Sequence, residues 1–182
     1  MEKIIKPICY ALAALLAFNL LSSVVVKKFD YFKSNRTDPS VITAAERERQ
    51  LDCLARNIYH EAVNEPFEGK VAVAQVTINR SESGIFPSDI CKVVYQKNVF
   101  MEKVVCQFSW YCENGGRPKI KHPELYKESY EVAKKVLLEN FRLSSMKDAL
   151  YFHAVYVHPN WGKERIGVIG NHIFYRDKNV GI

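Results

Sequence analysis

The chain has 182 residues, of which 48% are hydrophobic, 25% charged and 12% aromatic, and its formal net charge is +6. This balance excludes a disordered protein, a collagen-like repeat and a polytopic membrane protein, and the length suits one domain with a real core. The positive charge suits an anionic partner, such as nucleic acid, a lipid surface or an acidic wall polymer, and does not choose among them.

An apolar segment near the start of the chain, residues 8–26, contains no charged side chain and is flanked by lysines on both sides. At about 1.5 Å per residue a helix of this length just crosses a hydrocarbon layer of roughly 30 Å. We therefore predict a short tail at residues 1–7, a transmembrane signal anchor at 8–26 and a linker at 27–43. A cleaved signal peptide and a buried core helix are the alternatives.

The cysteines bear on the compartment of the protein. Cys9 lies within the apolar segment, and the other four follow it in the chain: Cys53, Cys91, Cys106 and Cys112. An even set in an exported domain predicts two disulfides, with three possible pairings that sequence cannot separate. Free buried thiols are the alternative, and a zinc site is disfavoured because no C-x-x-C pair occurs.

The first part of the predicted domain, residues 44–182, has helical periodicity. Apolar residues recur at helical spacing from Leu51 to Ala62, which predicts an amphipathic helix that ends before Pro66. The next segment, VAVAQVTINR, suits either a buried strand or a helix of small residues, and we favour the helix. Ser88 is positioned to cap a short helix that runs through Tyr95.

The second half of the domain combines one more helix with strands. A helix with proline in its first turn is predicted from Pro123 to about Asn140. The segments ALYFHAVYVHP and GNHIFYR are aromatic, alternating and bounded by Pro or Gly, which predicts two strands of a small antiparallel sheet. The predicted fold class is therefore α+β.

Glu61 is the first candidate for chemistry. On a helical wheel it lies about 80° from the centre of the apolar stripe, beside Leu54 and Ile58. Partial desolvation there would disfavour the charged carboxylate, which is how a glutamic acid is kept protonated for use as a general acid. An ordinary boundary glutamate is the alternative.

Several separated segments together resemble a known family. They are CLARNIYHEAVNEPFEGKVAVAQVTINR, IFPSDICKVVYQ, CQFSW, ALYFHA with Pro159 and Trp161, and IGNHIFYR. Their order and spacing resemble the SleB/CwlJ-type cell wall hydrolases, the spore cortex-lytic enzyme family. The resemblance implies a lysozyme-like helical core and a glycan-cleaving enzyme without a cofactor.

The resemblance also implies residue roles. In the family's E-A-x-x-E-P element the catalytic acid corresponds to Glu61. The implied reaction is cleavage of the β-1,4 bond between N-acetylmuramic acid and N-acetylglucosamine in peptidoglycan. In a lytic transglycosylase, one residue protonates the leaving oxygen and then accepts the proton of the muramic acid 6-hydroxyl, so no second carboxylate is required. A muramidase is the neighbouring possibility.

Ten further residues are candidates for binding substrate. They are Glu65, Gln75, Asn79, Gln107, Ser109, Trp110, His153, Asn171, His172 and Tyr175. Structural roles compete for several of them: Glu65 could end the first helix, Gln75 and Asn79 could be buried amides, and Trp110 could simply pack in the core.

The histidines offer no convincing metal motif. His60-Glu61 lacks the second histidine of H-E-x-x-H because the position is Asn64, and His153, His158 and His172 come from separate segments. We therefore predict no metal. A zinc N-acetylmuramoyl-L-alanine amidase and a non-catalytic wall-binding module remain the alternatives.

The expected partners and location follow from the resemblance and the apolar segment. The partners are peptidoglycan glycan strands and, through the N-terminal segment, a membrane. Nucleic acid is disfavoured because Lys and Arg are dispersed. We expect a monomer, membrane-anchored or exported, with its catalytic domain on the wall side. Host enzymes and phage endolysins would look alike at this level.

Overall fold

The computed structural model describes residue 15 and residues 18–28, 42–113, 116 and 118–178. The chain divides into two compact units between Thr43 and Ala44. In the first unit, residues 18–28 are helical. Within the described residues, no helix is both long and apolar enough to cross a membrane. Much of the predicted anchor lies outside those residues, so the anchor stays a prediction.

The second unit begins with two helices joined by a short link. Helix α1 spans Ala44–Ala62 and helix α2 spans Phe67–Glu82, so the ambiguous VAVAQVTINR segment is helical. Helix α2 is buried on nearly all sides because it lies between two apolar clusters. A helix covered on every side has no polar face, which explains why its sequence resembles a buried strand.

A short helix, α3, spans Ile90–Val94 and is tied to α1 by a disulfide between Cys53 and Cys91. The Asp89 side chain caps this helix by accepting a hydrogen bond of 2.8 Å from the Lys92 backbone N–H. The predicted cap, Ser88, was therefore wrong by one residue. Both residue types suit the position, so composition alone does not distinguish them.

A two-stranded hairpin that the sequence did not indicate follows. Strand β1, Lys97–Phe100, pairs antiparallel with strand β2, Lys103–Cys106. The two turn residues, Met101 and Glu102, have φ of 46° and 64°. Turns of this kind normally carry Asn or Gly, so this one lacks the usual sequence signal.

The segment after the hairpin is closed by the second disulfide. Helix α4 spans Ser109–Cys112, and Cys106 is bonded to Cys112. The two disulfides that the sequence predicted are present, and the structure supplies their pairing.

Helix α5 spans Pro123–Leu137 and packs mainly against α1. It ends earlier than predicted, and Asn140 beyond it adopts a φ of 55°. A short 3-10 helix at Ser144–Met146 then leads to the sheet.

The sheet has three antiparallel strands, β3 at Tyr151–Ala154, β4 at Glu164–Ile169 and β5 at His172–Arg176, in the order β3-β5-β4. Phe174 of β5 is fully buried in the cluster that covers α2. The predicted strand pair is confirmed as β3 and β5, whereas β4 was missed because its sequence, ERIGVI, lacks the aromatic alternation. The α+β class is confirmed.

Candidate active site

Glu61 lies in the last turn of α1 with a half-buried side chain. Burial, opposed by the charge of the Arg80 guanidinium and aided by the negative charge of Glu113, raises the pKa of its carboxyl to about 7. A carboxyl group with this pKa is substantially protonated at neutral pH. It can therefore donate a proton, as a general acid must.

Glu61 opens into a cleft of about 320 Å³ between the link joining α1 to α2 and the edge of the sheet. A second cleft of about 300 Å³ shares His60 and Val63 with the first. The second cleft is lined as well by Tyr59, Trp110, Glu113, Pro118, Lys119 and Lys121. Because the clefts meet beside Glu61, the carboxyl lies along a groove that suits a polymer.

Arg80 is a buried cation behind Glu61 that the sequence analysis missed. Its Nε donates a hydrogen bond of 2.8 Å to the Leu150 carbonyl, and its guanidinium lies 5.0 Å from the ring centre of Phe108. Burial lowers the pKa of Arg80 to about 10. The available signal was an arginine directly following an apolar helical run.

Trp110 forms one wall of the second cleft. Its indole Nε1 donates a hydrogen bond of 3.1 Å to Asn57 Oδ1, and its ring stacks on His60 with centroids 4.4 Å apart. Burial, aided by the charge of Arg56, lowers the pKa of His60. Trp110 thus packs on the core and also lines the groove, so both roles considered from the sequence coexist.

Glu65 is the other carboxylate in the first cleft, and it is buried. It accepts hydrogen bonds from the backbone N–H and Nδ2 of Asn171, at 2.9 and 3.0 Å, and His172 Nδ1 lies 3.8 Å from Oε1. Burial lowers the pKa of His172. We call this set, Glu65 with Asn171 and His172, the clamp, because it fixes the β4–β5 turn against the α1–α2 link.

The two amide side chains on α2 that were predicted to bind substrate form hydrogen bonds with backbone groups and line neither cleft. Gln75 exchanges hydrogen bonds with the backbone of Leu143 at 2.8 and 3.2 Å. Asn79 Nδ2 donates to the carbonyls of Met146 and Ala149, both at 2.9 Å. Their partners support the structural alternative considered for both residues.

Four other predicted residues lie away from the lining of the two clefts. Gln107 and Ser109 come shortly before Trp110 in the chain, but neither lines a cleft. His153 Nε2 lies 2.9 Å from the Tyr175 hydroxyl, and both rings contact Trp161. The register places these two on the sheet face opposite His172, because neighbouring strand residues alternate between faces.

Two histidines, His60 and His172, line the first cleft. Within the ranges that the structure describes, no group of three or more His, Cys, Asp or Glu side chains is arranged to hold a metal ion. His153 and His172 belong to opposite sheet faces.

Comparison with known proteins places the chain in a family. A sequence profile described as Cell Wall Hydrolase matches residues 64–175. The chain belongs to this family. The match includes Glu65 and Asn171 of the clamp and begins three residues after Glu61.

This cell wall hydrolase is similar to curated spore cortex-lytic enzymes. It is 29% identical over 129 residues to that of Bacillus subtilis, which covers 66% of this chain and 35% of the relative. It is 26% identical over 145 residues to that of Oceanobacillus iheyensis, covering 75% and 45%. The chain thus spans less than half the length of these relatives. The resemblance expected from the sequence is confirmed.

The fold is also found among solved structures. The catalytic domain of the Bacillus cereus SleB protein matches with a TM-score of 0.54 and 23% identity, over 76% of this chain and 94% of that chain. This likeness shows that the cell wall hydrolase has the fold of that domain.

Proposed function

We propose that this cell wall hydrolase cleaves the glycan strand of peptidoglycan, with Glu61 as the general acid. The observation that carries the proposal is the pKa of Glu61, raised to about 7 by burial within the cleft. Protonation of a glycosidic oxygen requires such an acid near neutral pH. The names of the similar enzymes support the same substrate class.

The finer proposal is a lytic transglycosylase. Glu61 donates its proton to the oxygen that leaves C1 of N-acetylmuramic acid as the glycosidic bond breaks. The 6-hydroxyl oxygen of the same sugar then bonds to C1, and the Glu61 carboxylate takes the hydroxyl proton. The product is a 1,6-anhydro end, and the acid is regenerated without a second carboxylate or a water molecule.

The hydrogen bonds of Glu65 support the single-acid route. Glu65 lies in the same cleft, but both of its oxygens accept hydrogen bonds from Asn171. Glu113 lines the second cleft and not the one that Glu61 lines. A retaining or inverting hydrolase needs a second carboxyl free to act as nucleophile or base.

The groove also suits the charge of the substrate. Lys119 and Lys121 lie along the second cleft. Peptide stems and wall polymers carry carboxylates or phosphates, which these ammonium groups attract. The attraction is not specific and falls with added salt.

Product analysis tests the proposal. Purified peptidoglycan is incubated with the full chain, and the released muropeptides are identified by mass spectrometry. We expect 1,6-anhydro-muramic ends. Muramic acid with reducing ends would reject the transglycosylase step but would still support a glycosidase. Free stem peptides would support an amidase. If no muropeptides are released, a non-catalytic binding module is supported.

We also propose that the protein is a monomer, held by residues 8–26 at a membrane with its cleft on the wall side. The two disulfides support an oxidising compartment. Fractionation, protease accessibility and N-terminal mass test the topology. A mature N-terminus near Val26 would reject the anchor, and a dimer in sedimentation would reject the monomer.

A further inference from the structure

Asn171 occupies the β4–β5 turn and lines the cleft that holds Glu61. Three of its four polar groups have partners. Its backbone N–H and Nδ2 donate to Glu65, and its backbone carbonyl accepts a hydrogen bond of 2.9 Å from Val155. Among the described residues, none donates a hydrogen bond to the fourth group, Oδ1.

The hydrogen bond to Glu65 fixes the orientation of the Asn171 side-chain amide. The oxygens of a carboxylate accept hydrogen bonds, so the nitrogen of the Asn171 amide, and not its oxygen, faces Glu65. Turning the amide over would bring Oδ1 against a carboxylate oxygen. The clamp therefore leaves Oδ1 as an acceptor on the side away from Glu65.

The position of Glu65 is itself restricted by two glycines. A Cβ atom on Gly170 would lie 1.8 Å from Glu65 Oε2, and one on Gly69 would lie 2.9 Å from Glu65 Cβ. The carboxylate thus occupies space that exists only because both residues lack a side chain. This close fit holds the partner of Asn171 in one place.

The remaining surface of the cleft near Asn171 includes apolar groups. Ala154 and the exposed Tyr156 line the same cleft, and the buried His172 ring lies edge-on to Phe152 at 5.1 Å. A fixed acceptor beside a methyl group and an aromatic ring matches the N–H and the methyl of an acetamido group.

We propose that Asn171 Oδ1 accepts the N–H of the 2-acetamido group of an amino sugar bound beside Glu61, with the acetyl methyl against Ala154 and Tyr156. The subsite rests on the proposed function for its substrate class. Glu65 then acts as a positioning residue, because it holds the amide of Asn171 in the orientation that recognises the sugar.

Sugar binding without cleavage tests the subsite. The full chain carrying Glu61→Gln is titrated with tri-N-acetylchitotriose and, separately, with cellotriose, which has the same β-1,4 backbone with hydroxyls in place of acetamido groups. We expect at least a tenfold preference for the acetylated sugar. Asn171→Ala should weaken binding of that sugar about fivefold to tenfold, as the loss of one hydrogen bond predicts, and leave cellotriose unchanged.

Two more variants separate recognition from folding. Glu65→Gln keeps the shape of the side chain, but its amide can donate to Oδ1 of Asn171 and occupy it, so the preference for the acetylated sugar should fall similarly. Asn98→Ala, on the β1–β2 hairpin, should change neither affinity. The subsite is wrong if the unsubstituted Asn171 chain shows no preference or no binding, or if Asn171→Ala weakens both sugars equally or neither.

Peptidoglycan cleavage by the chain with native Glu61 is scored separately. Cleavage without any effect of Asn171 on sugar preference would reject the subsite alone. An Asn171-dependent preference without cleavage would reject the proposed function and keep the subsite.

Discussion

Glu65 accepts two hydrogen bonds from Asn171, at 2.9 and 3.0 Å, although the two residues are 106 positions apart in the sequence. The bonds join the α1–α2 link to the sheet beside Glu61. A distortion of the β4–β5 turn should therefore affect both the stability of the domain and the shape of the cleft.

Gly170→Ala is expected to disrupt this connection. Gly170 has a φ of 56°, and its added Cβ would lie 1.8 Å from Glu65 Oε2 and 3.0 Å from Cδ. Strain in the left-handed region plus the clash should lower the free energy of unfolding by about 3 kcal/mol. Urea unfolding measures the loss, and lysis assays should show reduced activity.

Gly84→Ala provides the matched control. Gly84 has a φ of 76°, but an added Cβ would meet nothing within 4 Å. Gly84→Ala should lower the free energy of unfolding only through backbone strain, by about 1 kcal/mol, and it should leave activity unchanged. If Gly170→Ala and Gly84→Ala lose the same free energy of unfolding, the close contact between Gly170 and Glu65 does not contribute to stability as predicted.

Burial of Glu61 predicts a pH-dependent stability. The folded pKa of about 7 lies above the ordinary value of 4.5, so the folded state retains this proton more tightly. Ionising the buried carboxyl lowers the free energy of unfolding. This loss is absent below pH 4.5, grows as the pH rises and reaches about 3 kcal/mol above pH 7. Glu61→Gln should therefore be more stable than the parent at pH 8 and nearly equal to it at pH 4. A stability difference that does not vary with pH would contradict the raised pKa.

The two disulfides should contribute unequally to stability and function. Cys53–Cys91 closes 38 residues and Cys106–Cys112 closes 6, so loop-closure entropy predicts losses of about 4 and about 2 kcal/mol when each pair is replaced by serines. The smaller loop carries Trp110, a wall of the groove. Replacing Cys106 and Cys112 with serine should therefore lower activity more than the small change in the free energy of unfolding suggests. Calorimetry and lysis assays of the two double variants test this, and unchanged activity without Cys106–Cys112 would contradict it.

Chelation should leave activity unchanged. The described residues contain no cluster of three metal-ligating side chains, and the proposed step uses only the Glu61 proton. Lysis is measured before and after EDTA treatment. Loss of activity followed by rescue with zinc would favour the amidase alternative.

The sequence predicted the parts of the fold that local patterns govern. The spacing of Leu51, Leu54 and Ile58 identified α1, and the aromatic alternation identified β3 and β5. The β1–β2 hairpin was missed because Met101 and Glu102 adopt positive φ without a glycine or asparagine. Strand β4 was missed because its sequence, ERIGVI, lacks the aromatic alternation that marks β3 and β5.

Some features of the candidate site could likewise be predicted from the sequence, and others could not. Glu61 could be proposed from its place on the helical wheel together with the resemblance to the family, because partial burial follows from helix periodicity. The partners of Glu65 and the buried Arg80 could not, since Asn171 and Phe108 come from distant segments. Sequence places residues on one face of an element, whereas the clamp depends on how two elements meet.

The central claim is that the Glu61 carboxyl donates the proton that breaks the glycan, and the most direct measurement is the initial rate of muropeptide release by Glu61→Gln. An amide cannot donate this proton, so we expect a loss of at least about a hundredfold with an unchanged circular dichroism spectrum. Glu124→Gln, an exposed site in the first turn of α5, serves as the control and should match the parent rate. A Glu61→Gln rate within a few fold of the parent would contradict the assignment.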